Sequence, residues 1–462
     1  MSISGELAKS ANSLVFEDLP SDVIHQTQRL MLDTLGCAMG GYESEASRVI
    51  QEAVKEFGHP EEATVFGSGL KTSCMNAALT NGVMLRYLDY NDTAFIIQGK
   101  TYRSGYHPSE VIPGILALGE RQHISGKDAI TAINLGYDLS LAFLEAVTGP
   151  GMEKRGWNGD TRGAFIMPLV AGKILRLSDD QMQNAVGISG SSHAVFGILD
   201  TPAEEYMMTK NLRFPMMAYA GILAAMFARK GFTGPAGMIE GNDGFVKVIM
   251  EGNYDLDTLL RFKGKFAIRE TCIKSIIADF SAHGHLTATL TLARGHNINP
   301  EDVKEVRITT SKRCAEHTGD PVKKYPKNKE TADHSSYYLT AIAIIDREIG
   351  PKQFTPEKYN DPRVRKLIDK VILQGDPSLD KFRPAGISEI ITKQGEKYSL
   401  RVDYPRGHAR NPMTDEEIVD KFKTMASRYM EEAHMDRLIN TVFELDKLDD
   451  IGELTELMTF RD

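Results

Sequence analysis

The stretch VKEVRIT at residues 303–309 marks the point where the sequence stops being helical. Apolar and polar residues alternate in it and β-branched types dominate, which is typical of a half-buried β-strand. Downstream, residues 387–402 predict a β-hairpin, because two alternating segments flank the turn sequence KQGE. Two helical stretches lie between these strands, near 338–345 and 364–373. Residues 269–404 are therefore expected to form an α+β domain.

Upstream of this stretch the sequence predicts one amphipathic helix after another. Ser178 and Gln181 have the spacing of a capping box, and Ser109 is placed to cap an earlier helix. Helical periodicity returns after the predicted hairpin and continues to the end of the chain. The expected fold is mostly α with an α+β second domain. Residues 1–268 are expected to form a large helical domain that 405–462 complete, with the α+β domain inserted between them.

The charge and the apolar pattern exclude several classes of protein. The formal net charge of −9 argues against a nucleic-acid partner, because neutralising phosphates needs a surplus of Lys and Arg. No run of about 18 apolar residues is present, so no membrane span is expected. Residues 1–19 carry acidic side chains and no apolar core, so we expect a cytoplasmic protein without a signal peptide.

Nucleotide and metal motifs are missing from the sequence. Neither a phosphate-binding P-loop nor a dinucleotide-binding glycine motif occurs, and none of the four cysteines forms a C-x-x-C pair. His283 and His285 are two residues apart, so they do not share a helix face as metal ligands would. We interpret them as hydrogen-bonded histidines at a helix terminus, and we expect no metal and no cofactor.

A group of chemically active residues surrounds the end of one predicted helix. Asp89, Asp92 and Thr93 follow an apolar helix, and His107 stands just before the next helix N-terminus. Backbone amides there would hold the imidazole neutral and favour bound anions. A neutral imidazole near a carboxylate is a candidate acid or base at neutral pH, so this segment predicts proton-transfer chemistry.

The same segment resembles the signature of the MmgE/PrpD family, and four further segments match that family in order. The family includes 2-methylcitrate dehydratase, cis-aconitate decarboxylase and iminodisuccinate epimerase. The matching segments are LDYNDT (88–93) with HPS (107–109), MTK (208–210), IK (273–274) followed by IADF (277–280), DHSSYY (333–338) and YPRGHARNPMT (404–414).

The resemblance implies a fold, a site and a way of working. Members form homodimers, need no metal, flavin or nucleotide, and bind small polycarboxylates between a helical domain and an α+β lid. The implied catalytic residues are Asp89, His107, Lys210, Lys274 and Tyr338, and the implied substrate-binding residues are Thr93 and Asp279.

Each of these residue types suits a reaction that begins beside a carboxylate. His107 would transfer the proton at the reacting carbon, and Asp89 would orient it. Lys210 and Lys274 would stabilise the charge that develops on the substrate carboxylate, with Thr93 and Tyr338 as neutral donors.

The sequence departs from the family pattern at several points. Thirteen residues, 94–106, separate Thr93 from His107, which is several more than usual. Ile277 replaces a proline, and Asp279 stands where dehydratase-like members have glutamate and decarboxylase-like members have histidine. The acid at 279 favours the dehydratase branch.

The sequence therefore predicts a hydro-lyase that dehydrates 2-methylcitrate or a close analogue in propionate metabolism. Decarboxylation of cis-aconitate or epimerisation of an iminodisuccinate-type acid are the alternatives, since both also begin from a carbanion-like state. A catalytically silent binding homologue is a third hypothesis, for which the altered turn at Ile277 leaves room.

Overall fold

The structure is a computed structural model that describes residues 2–57, 60–98 and 101–460, with backbone alone over 95–98 and 101–105. In the N-terminal part the α-helices are α1 (Ile3–Asn12), α2 (Ser21–Gly41), α3 (Glu45–Glu56), α4 (Cys74–Tyr87), α5 (Ile112–Gln122), α6 (Gly126–Glu145), α7 (Gly163–Ile174), α8 (Asp179–Ser192), α9 (Arg213–Arg229), α10 (Phe245–Val248) and α11 (Leu256–Leu260). The remaining helices are α12 (His283–Gly295), α13 (Lys312–Thr318), α14 (Lys329–Ala332), α15 (Ser336–Ile345), α16 (Pro356–Asn360), α17 (Pro362–Ile368), α18 (Asp415–Ala426), α19 (Glu432–Phe443) and α20 (Gly452–Leu457).

Eight strands form three sheets within the described residues. The strands are β1 (Ala63–Thr64), β2 (Lys71–Thr72), β3 (Ala94–Gln98), β4 (Thr101–Tyr106), β5 (Val303–Thr310), β6 (Val371–Gly375), β7 (Gly386–Thr392) and β8 (Lys397–Val402). The first four pair as two antiparallel hairpins, and the last four form one mixed sheet in the order β6-β5-β7-β8. The predicted fold class, mostly helical with an α+β part, is confirmed.

The four-stranded sheet needs a long connection because β5 and β6 are parallel neighbours. Parallel strands cannot be joined by a tight turn, and here the chain crosses over through α13 to α17. The hairpin predicted at 387–402 is β7 and β8, joined in antiparallel register. Helix α12 packs across β7 and β8 and so covers one face of the sheet.

Two local predictions were wrong. Ser109 does not cap α5, because its N–H and hydroxyl both donate to the carboxylate of Asp92. The helix predicted to reach residue 373 ends at Ile368, and the chain then enters β6. A short apolar run does not distinguish a helix from a strand that is buried in a sheet.

The helical body is held together by apolar helix faces that meet in one continuous core. Helix α4 lies at its centre and packs against α2, α5 and α9, and small residues such as Gly82 allow this close approach. Helix α18, from the C-terminal part of the chain, packs against α2. No helix in the described ranges is both long and apolar enough to cross a bilayer.

Candidate active site

The candidate site is a cluster of six buried side chains, which we call the Asp89 cluster. Its members are Arg86, Asp89, His107, Lys210, Lys274 and His334. Four of them were predicted from sequence: Asp89, His107, Lys210 and Lys274. Arg86 and His334 were not.

Asp89 is placed at the centre by the way α4 ends. The helix stops at Tyr87, and Asp89 adopts a left-handed backbone with φ of 49°. That conformation is uncommon for a residue with a side chain, although aspartate tolerates it better than most. It turns the carboxylate back towards the helix end, where Asp89 is 1 % exposed.

Three cations surround the Asp89 carboxylate. Lys274 Nζ lies 3.1 Å from Oδ2 and also donates to the Asp89 carbonyl at 2.8 Å. Lys210 Nζ lies 3.9 Å from Oδ1, which Arg86 also contacts. Burial alone would raise the pKa of Asp89, but Lys210, Lys274 and Arg86 hold it well below its usual range. The carboxylate is therefore ionised, with more positive than negative charge around it.

Lys210 is a member of the cluster whose ammonium group makes no hydrogen bond to the described residues. It lies in the 3-10 turn Met208–Leu212, just before α9, and is fully buried. Among the described residues its Nζ finds no hydrogen-bond acceptor. Burial lowers the pKa of Lys210 to about 8, although Asp89 and Asp333 act in the opposite direction. A buried ammonium that lacks a hydrogen-bond acceptor is costly, which makes Lys210 a candidate for contact with an incoming anion.

His107 is held as a neutral base by its backbone contact. Its Nδ1 lies 2.5 Å from the carbonyl oxygen of Asp92, which can only accept, so Nδ1 carries the proton. The lone pair is then on Nε2, which lies 3.9 Å from Asp89 Oδ1. Burial, together with the positive charge of Arg86 and Lys274, lowers the pKa of His107 well below 6.5. The imidazole is accordingly neutral at physiological pH.

Asp92 supports this arrangement from behind. Its carboxylate accepts from the Ser109 hydroxyl at 2.6 Å and from the Tyr137 hydroxyl at 2.7 Å. These bonds fix the turn whose carbonyl orients His107. Burial raises the pKa of Asp92 to about 6, while the bonds from Ser109 and Tyr137 partly oppose that rise.

Thr93 serves the site through its backbone. It forms an antiparallel bridge with Cys272, with both N–H to carbonyl distances at 2.9 Å, and its hydroxyl donates to the Tyr106 carbonyl. No contact joins the Thr93 side chain to the Asp89 cluster among the residues described. The bridge instead aligns the segment that carries Lys274 beside the end of α4.

The segment around Lys274 rests on the C-terminal motif at 404–414. Ile273 N–H donates to the Gly407 carbonyl at 2.9 Å, and the Ser275 hydroxyl donates to the Arg406 carbonyl at 2.8 Å. Gly407 has φ of 89°, and a Cβ there would lie 1.8 Å from the Ile273 carbonyl oxygen. Only glycine fits, which explains why this motif helps to position a distant lysine.

Lys421, on α18, ties the same backbone together from the other side. Its Nζ donates to the carbonyls of Tyr90 and Lys274 at 2.9 and 2.8 Å, and it pairs with the buried carboxylate of Asp33. Burial opposes its charge, but Asp33 raises the pKa of Lys421 above the usual value. Helix α18 thus joins the two segments that carry Asp89 and Lys274.

His334 completes the cluster opposite His107. Its Nδ1 donates to Asp333 Oδ1 at 2.5 Å, and Lys329 Nζ holds the other oxygen of Asp333 at 2.6 Å. Its Nε2 lies 3.8 Å from Asp89 Oδ2 and 3.6 Å from Asp279 Oδ2. Burial and the nearby Lys210 lower the pKa of His334. The pair Asp333–His334 was visible in the sequence as a carboxylate next to an imidazole.

Tyr338 does not belong to the Asp89 cluster, and its predicted role as a catalytic residue stays a prediction. Its hydroxyl donates to the carbonyl of Gln353, and its ring packs against Phe354 and Tyr359. Burial raises the pKa of Tyr338 well above its usual value. The residue is part of the core beneath α15, and His334, one helical turn earlier, reaches the site instead.

Asp279 lies at the more exposed edge of the cluster. It caps the 3-10 turn Phe280–Ala282, and its Oδ2 lies 3.6 Å from both His334 Nε2 and His317 Nε2. Burial would raise the pKa of Asp279, but His317 and His334 hold it well below its usual range. Asp279 is thus the more exposed of the two carboxylates that His334 contacts, and its predicted role in substrate binding stays a prediction.

A second layer of buried charges lies behind Arg86. Arg86 Nε pairs with Glu110 at 2.9 Å, and Arg213 pairs with Asp160 at the same distance. Burial and the nearby Asp160 raise the pKa of Glu110 to about 8, against the attraction of Arg86. No sequence pattern predicts this layer, because its members are spread over α4, α9 and two turns.

The described residues include two groups whose spacing would suit a metal ion. They are Asp89, Asp333, His334 and Asp200, His317, His334. Cations already neutralise these carboxylates: Lys274 contacts Asp89, Lys329 contacts Asp333, and Arg213 contacts Asp200. The positive charge of these lysines and this arginine opposes the binding of a divalent cation beside the carboxylates.

His283 and His285, interpreted from sequence as hydrogen-bonded histidines, are fully buried in α12. His283 Nε2 lies 3.4 Å from the Ala278 carbonyl, but neither ring nitrogen of His285 has a partner in the described part of the chain. The expectation was therefore wrong for His285. Burial lowers the pKa of both to about 3, so both are neutral.

The fold combines a helical body with a mixed α+β part, and the Asp89 cluster draws its buried charged groups from both parts of the chain. The MmgE/PrpD N-terminal domain matches residues 5–257, and the MmgE/PrpD C-terminal domain matches residues 278–445. The chain belongs to the MmgE/PrpD family.

Named relatives match over nearly the full length. The cis-aconitate decarboxylase of Aspergillus terreus is 26 % identical, over 99 % of this chain and 96 % of its own. The human cis-aconitate decarboxylase is 27 % identical, over 99 % and 94 %. The 2-methylcitrate dehydratase of Salmonella typhimurium is 24 % identical, over 94 % and 92 %.

Proposed function

We propose that this protein is a lyase that acts on a small polycarboxylic acid by proton transfer at a carbon beside a carboxylate. One observation carries the proposal: neutral His107 faces Asp89 at 3.9 Å, beside two buried lysines that also contact Asp89. A base for a C–H bond and cations for the resulting charge are what this chemistry needs. The protein's own side chains supply both.

The roles follow from charge and burial. His107 Nε2 takes the proton, because its lone pair is free and the lowered pKa of the ring keeps it unprotonated before the reaction. Lys210, which has no hydrogen-bond acceptor within the described residues, stabilises the enediolate-like carboxylate together with Lys274. Asp89 opposes the loss of charge from Lys210 and holds both lysines in place until the substrate arrives.

The leading reaction is dehydration of 2-methylcitrate or a close analogue. Dehydration needs a base for the C–H bond and a separate donor for the departing hydroxide. Two imidazoles, His107 and His334, flank the carboxylate of Asp89. His107 can take the C–H proton, and His334, once protonated, can deliver a proton to the departing hydroxide. The likeness to 2-methylcitrate dehydratase, at 24 % identity, supports this reaction.

Decarboxylation of cis-aconitate is the second candidate. The observation in its favour is that cis-aconitate decarboxylases from Aspergillus terreus and Homo sapiens match 99 % of the chain at 26 and 27 % identity. The same lysines would stabilise the carbanion left by departing CO₂, and one imidazole would then protonate it.

Turnover of defined acids tests both reactions. The purified protein is mixed with 2-methylcitrate, citrate and cis-aconitate, and the unsaturated product and released CO₂ are measured for each. His107→Gln serves as the inactive control, since loss of a proton-transfer group costs about 10²- to 10⁴-fold in rate. Absence of turnover with every acid would refute the proposed function.

We propose further that the protein works as a homodimer. An apolar groove of about 790 Å³ is lined by Trp157, Phe165, Met238 and Phe245 among others. Its rim carries Phe196, which is 65 % exposed, and Val248, which is 52 % exposed. Apolar surface of this kind is typical of an interface, and a second copy of the chain is the occupant that the family resemblance implies.

A further inference from the structure

A line of alternating imidazoles and carboxylates leads from the buried base towards the surface. His107 Nε2 lies 3.9 Å from Asp89 Oδ1, and Asp89 Oδ2 lies 3.8 Å from His334 Nε2. His334 Nε2 lies 3.6 Å from Asp279 Oδ2, which in turn lies 3.6 Å from His317 Nε2. Every neighbour in the line is a group that can accept and release a proton.

The line runs from the interior to solvent. The side chains of Asp89 and His334 are 1 % and 3 % exposed, whereas Asp279 is 21 % and His317 is 31 % exposed. The other contacts of the two inner imidazoles end in buried groups: His107 in the Asp92 carbonyl, and His334 in Asp333. His317 is the most exposed member of the line, so we expect it to be the member that exchanges protons with water.

Each of the two proposed reactions leaves a catalytic group in the wrong protonation state for the next turnover. In dehydration, His107 gains the C–H proton as the C=C bond forms, and the hydroxide that leaves takes a proton to become water. Dehydration consumes no proton overall, but the base must lose its proton and the donor must regain one, by transfer within the cluster or by exchange with solvent, before the next turnover. In decarboxylation, the C–C bond breaks, CO₂ leaves, and the carbanion consumes one proton per turnover. A base that is 9 % exposed needs a path for this exchange.

We propose that His334, Asp279 and His317 form a proton relay between the Asp89 cluster and solvent. The inference rests on the proposed function, but it holds for dehydration and decarboxylation alike. His334 Nε2 is the junction, because this one nitrogen lies within 3.8 Å of both Asp89 and Asp279. Asp333 stabilises the protonated imidazole while the proton passes.

The four distances between neighbouring groups of the line are those of loosely held hydrogen-bonding partners. They measure 3.6–3.9 Å, somewhat longer than a direct hydrogen bond and too short for a bridging water. Catalytic hydrogen bonds are often loose in the free enzyme and tighten when substrate binds.

Chemical rescue tests the relay. Turnover of the accepted acid is measured for wild type, His317→Gln and Asp279→Asn, with increasing concentrations of imidazole. We expect His317→Gln to turn over on the order of ten-fold more slowly with little change in KM, because a proton-transfer group acts on rate. Added imidazole should restore most of the lost rate, since a soluble base replaces the missing one, and wild type should not respond.

His123→Gln is the matched control. His123 has a 77 % exposed side chain and pairs with Asp450, which takes no part in the line. The control should keep the wild-type turnover rate at every imidazole concentration.

The outcomes separate the two hypotheses. An unchanged turnover rate in His317→Gln, or a loss that imidazole does not restore in either variant, would overturn the relay in an active enzyme. A wild-type protein that turns over none of the acids would overturn the proposed function, and with it the reaction that the relay serves.

Discussion

At the scale of single residues, the site depends on ionisable groups whose pKa values are moved by burial. The pKa of His107 is well below 6.5, so this base stays available until the medium is quite acidic. The pKa of Lys210 is about 8, so this cation is lost as the pH rises through that value. Burial is the main cause of both pKa shifts, and the two pKa values bound the pH range in which the enzyme is expected to be active.

This window predicts the pH profile of kcat/KM, which reports groups of the free enzyme. Activity should fall below the lowered pKa of His107, where the base is protonated, and should fall again near pH 8, where Lys210 loses its charge. Lys210→Arg should remove the alkaline fall, because arginine stays protonated. Lys173→Arg is the matched control and should keep the alkaline fall. Lys173 is half-buried and donates to the Asn12 and Leu14 carbonyls, away from the site. If the alkaline fall persists in Lys210→Arg, it is assigned to Glu110 instead, whose pKa is also about 8.

Tyr338 gives a second prediction at this scale. Tyr338→Phe should keep its turnover rate within about three-fold of wild type, because the hydroxyl donates to Gln353 and not to the cluster. Its free energy of unfolding should fall by about 1 kcal/mol for the lost hydrogen bond. Kinetics and denaturant unfolding of the same preparation would show both. A turnover rate lowered by about two orders of magnitude, with unchanged stability, would restore Tyr338 as a catalytic residue.

The residues that sequence reasoning found and missed differ in one respect. Asp89, His107, Lys210 and Lys274 stand in segments that resemble the family's motifs, so their meeting could be predicted. Arg86 is the one charged residue of α4, and its partner Glu110 is 24 positions away in a different element. Burial of such a pair depends on how α4 and the turn after β4 pack, which no local pattern reveals.

At the scale of elements, the alternating pattern at 303–309 predicted β5 because one face of that strand is buried and the other is exposed. Strand β6 was missed over 371–373, where only Val371 is buried and no alternation is visible. Residues 94–98 and 101–106 form β3 and β4, and the side chains of 95–105 lie outside the described residues.

The contact between Gly407 and Ile273 is an element-scale prediction. Gly407→Ala should lower the free energy of unfolding by about 2–4 kcal/mol, because a Cβ would lie 1.8 Å from a carbonyl oxygen in a backbone with φ of 89°. Activity should fall as well, since the displaced segment carries Lys274.

Gly395→Ala is the matched control for that substitution. Gly395 has φ of 91° at the tip of the β7–β8 hairpin, where a Cβ would meet no atom within 4 Å. It should lower stability by only about 1 kcal/mol and leave activity unchanged. Equal losses in the two variants would show that strain at positive φ, and not the contact with Ile273, controls the first.

At the scale of the whole molecule, the site needs several distant parts of the chain. Asp89 and His107 come from the helical part, whereas Lys274, Asp279 and His334 flank the mixed sheet. The division at 1–268, 269–404 and 405–462 stays a prediction, because the core runs continuously across these boundaries.

Association of two copies is predicted at this scale. Phe196→Glu should convert the dimer into a monomer, because a charge would be buried in the apolar groove. Sedimentation or light scattering at equal concentrations would measure the mass. Phe57→Glu, at a phenylalanine of similar exposure at the end of α3, should leave the mass unchanged. A wild-type protein that is monomeric, or a Phe196→Glu protein that remains a dimer, would contradict the proposal.

The three bonds made by Lys421 have a consequence for biosynthesis. This one side chain links Asp33, Tyr90 and Lys274, all of which the ribosome adds long before it reaches α18. Until then the growing chain has the N-terminal helices but lacks the cation that joins them to the later segment. Asp33 would meanwhile be a buried carboxylate without its partner, which is costly, so the helical body stays loose around it. The cleft therefore acquires its final shape late in synthesis, when α18 docks.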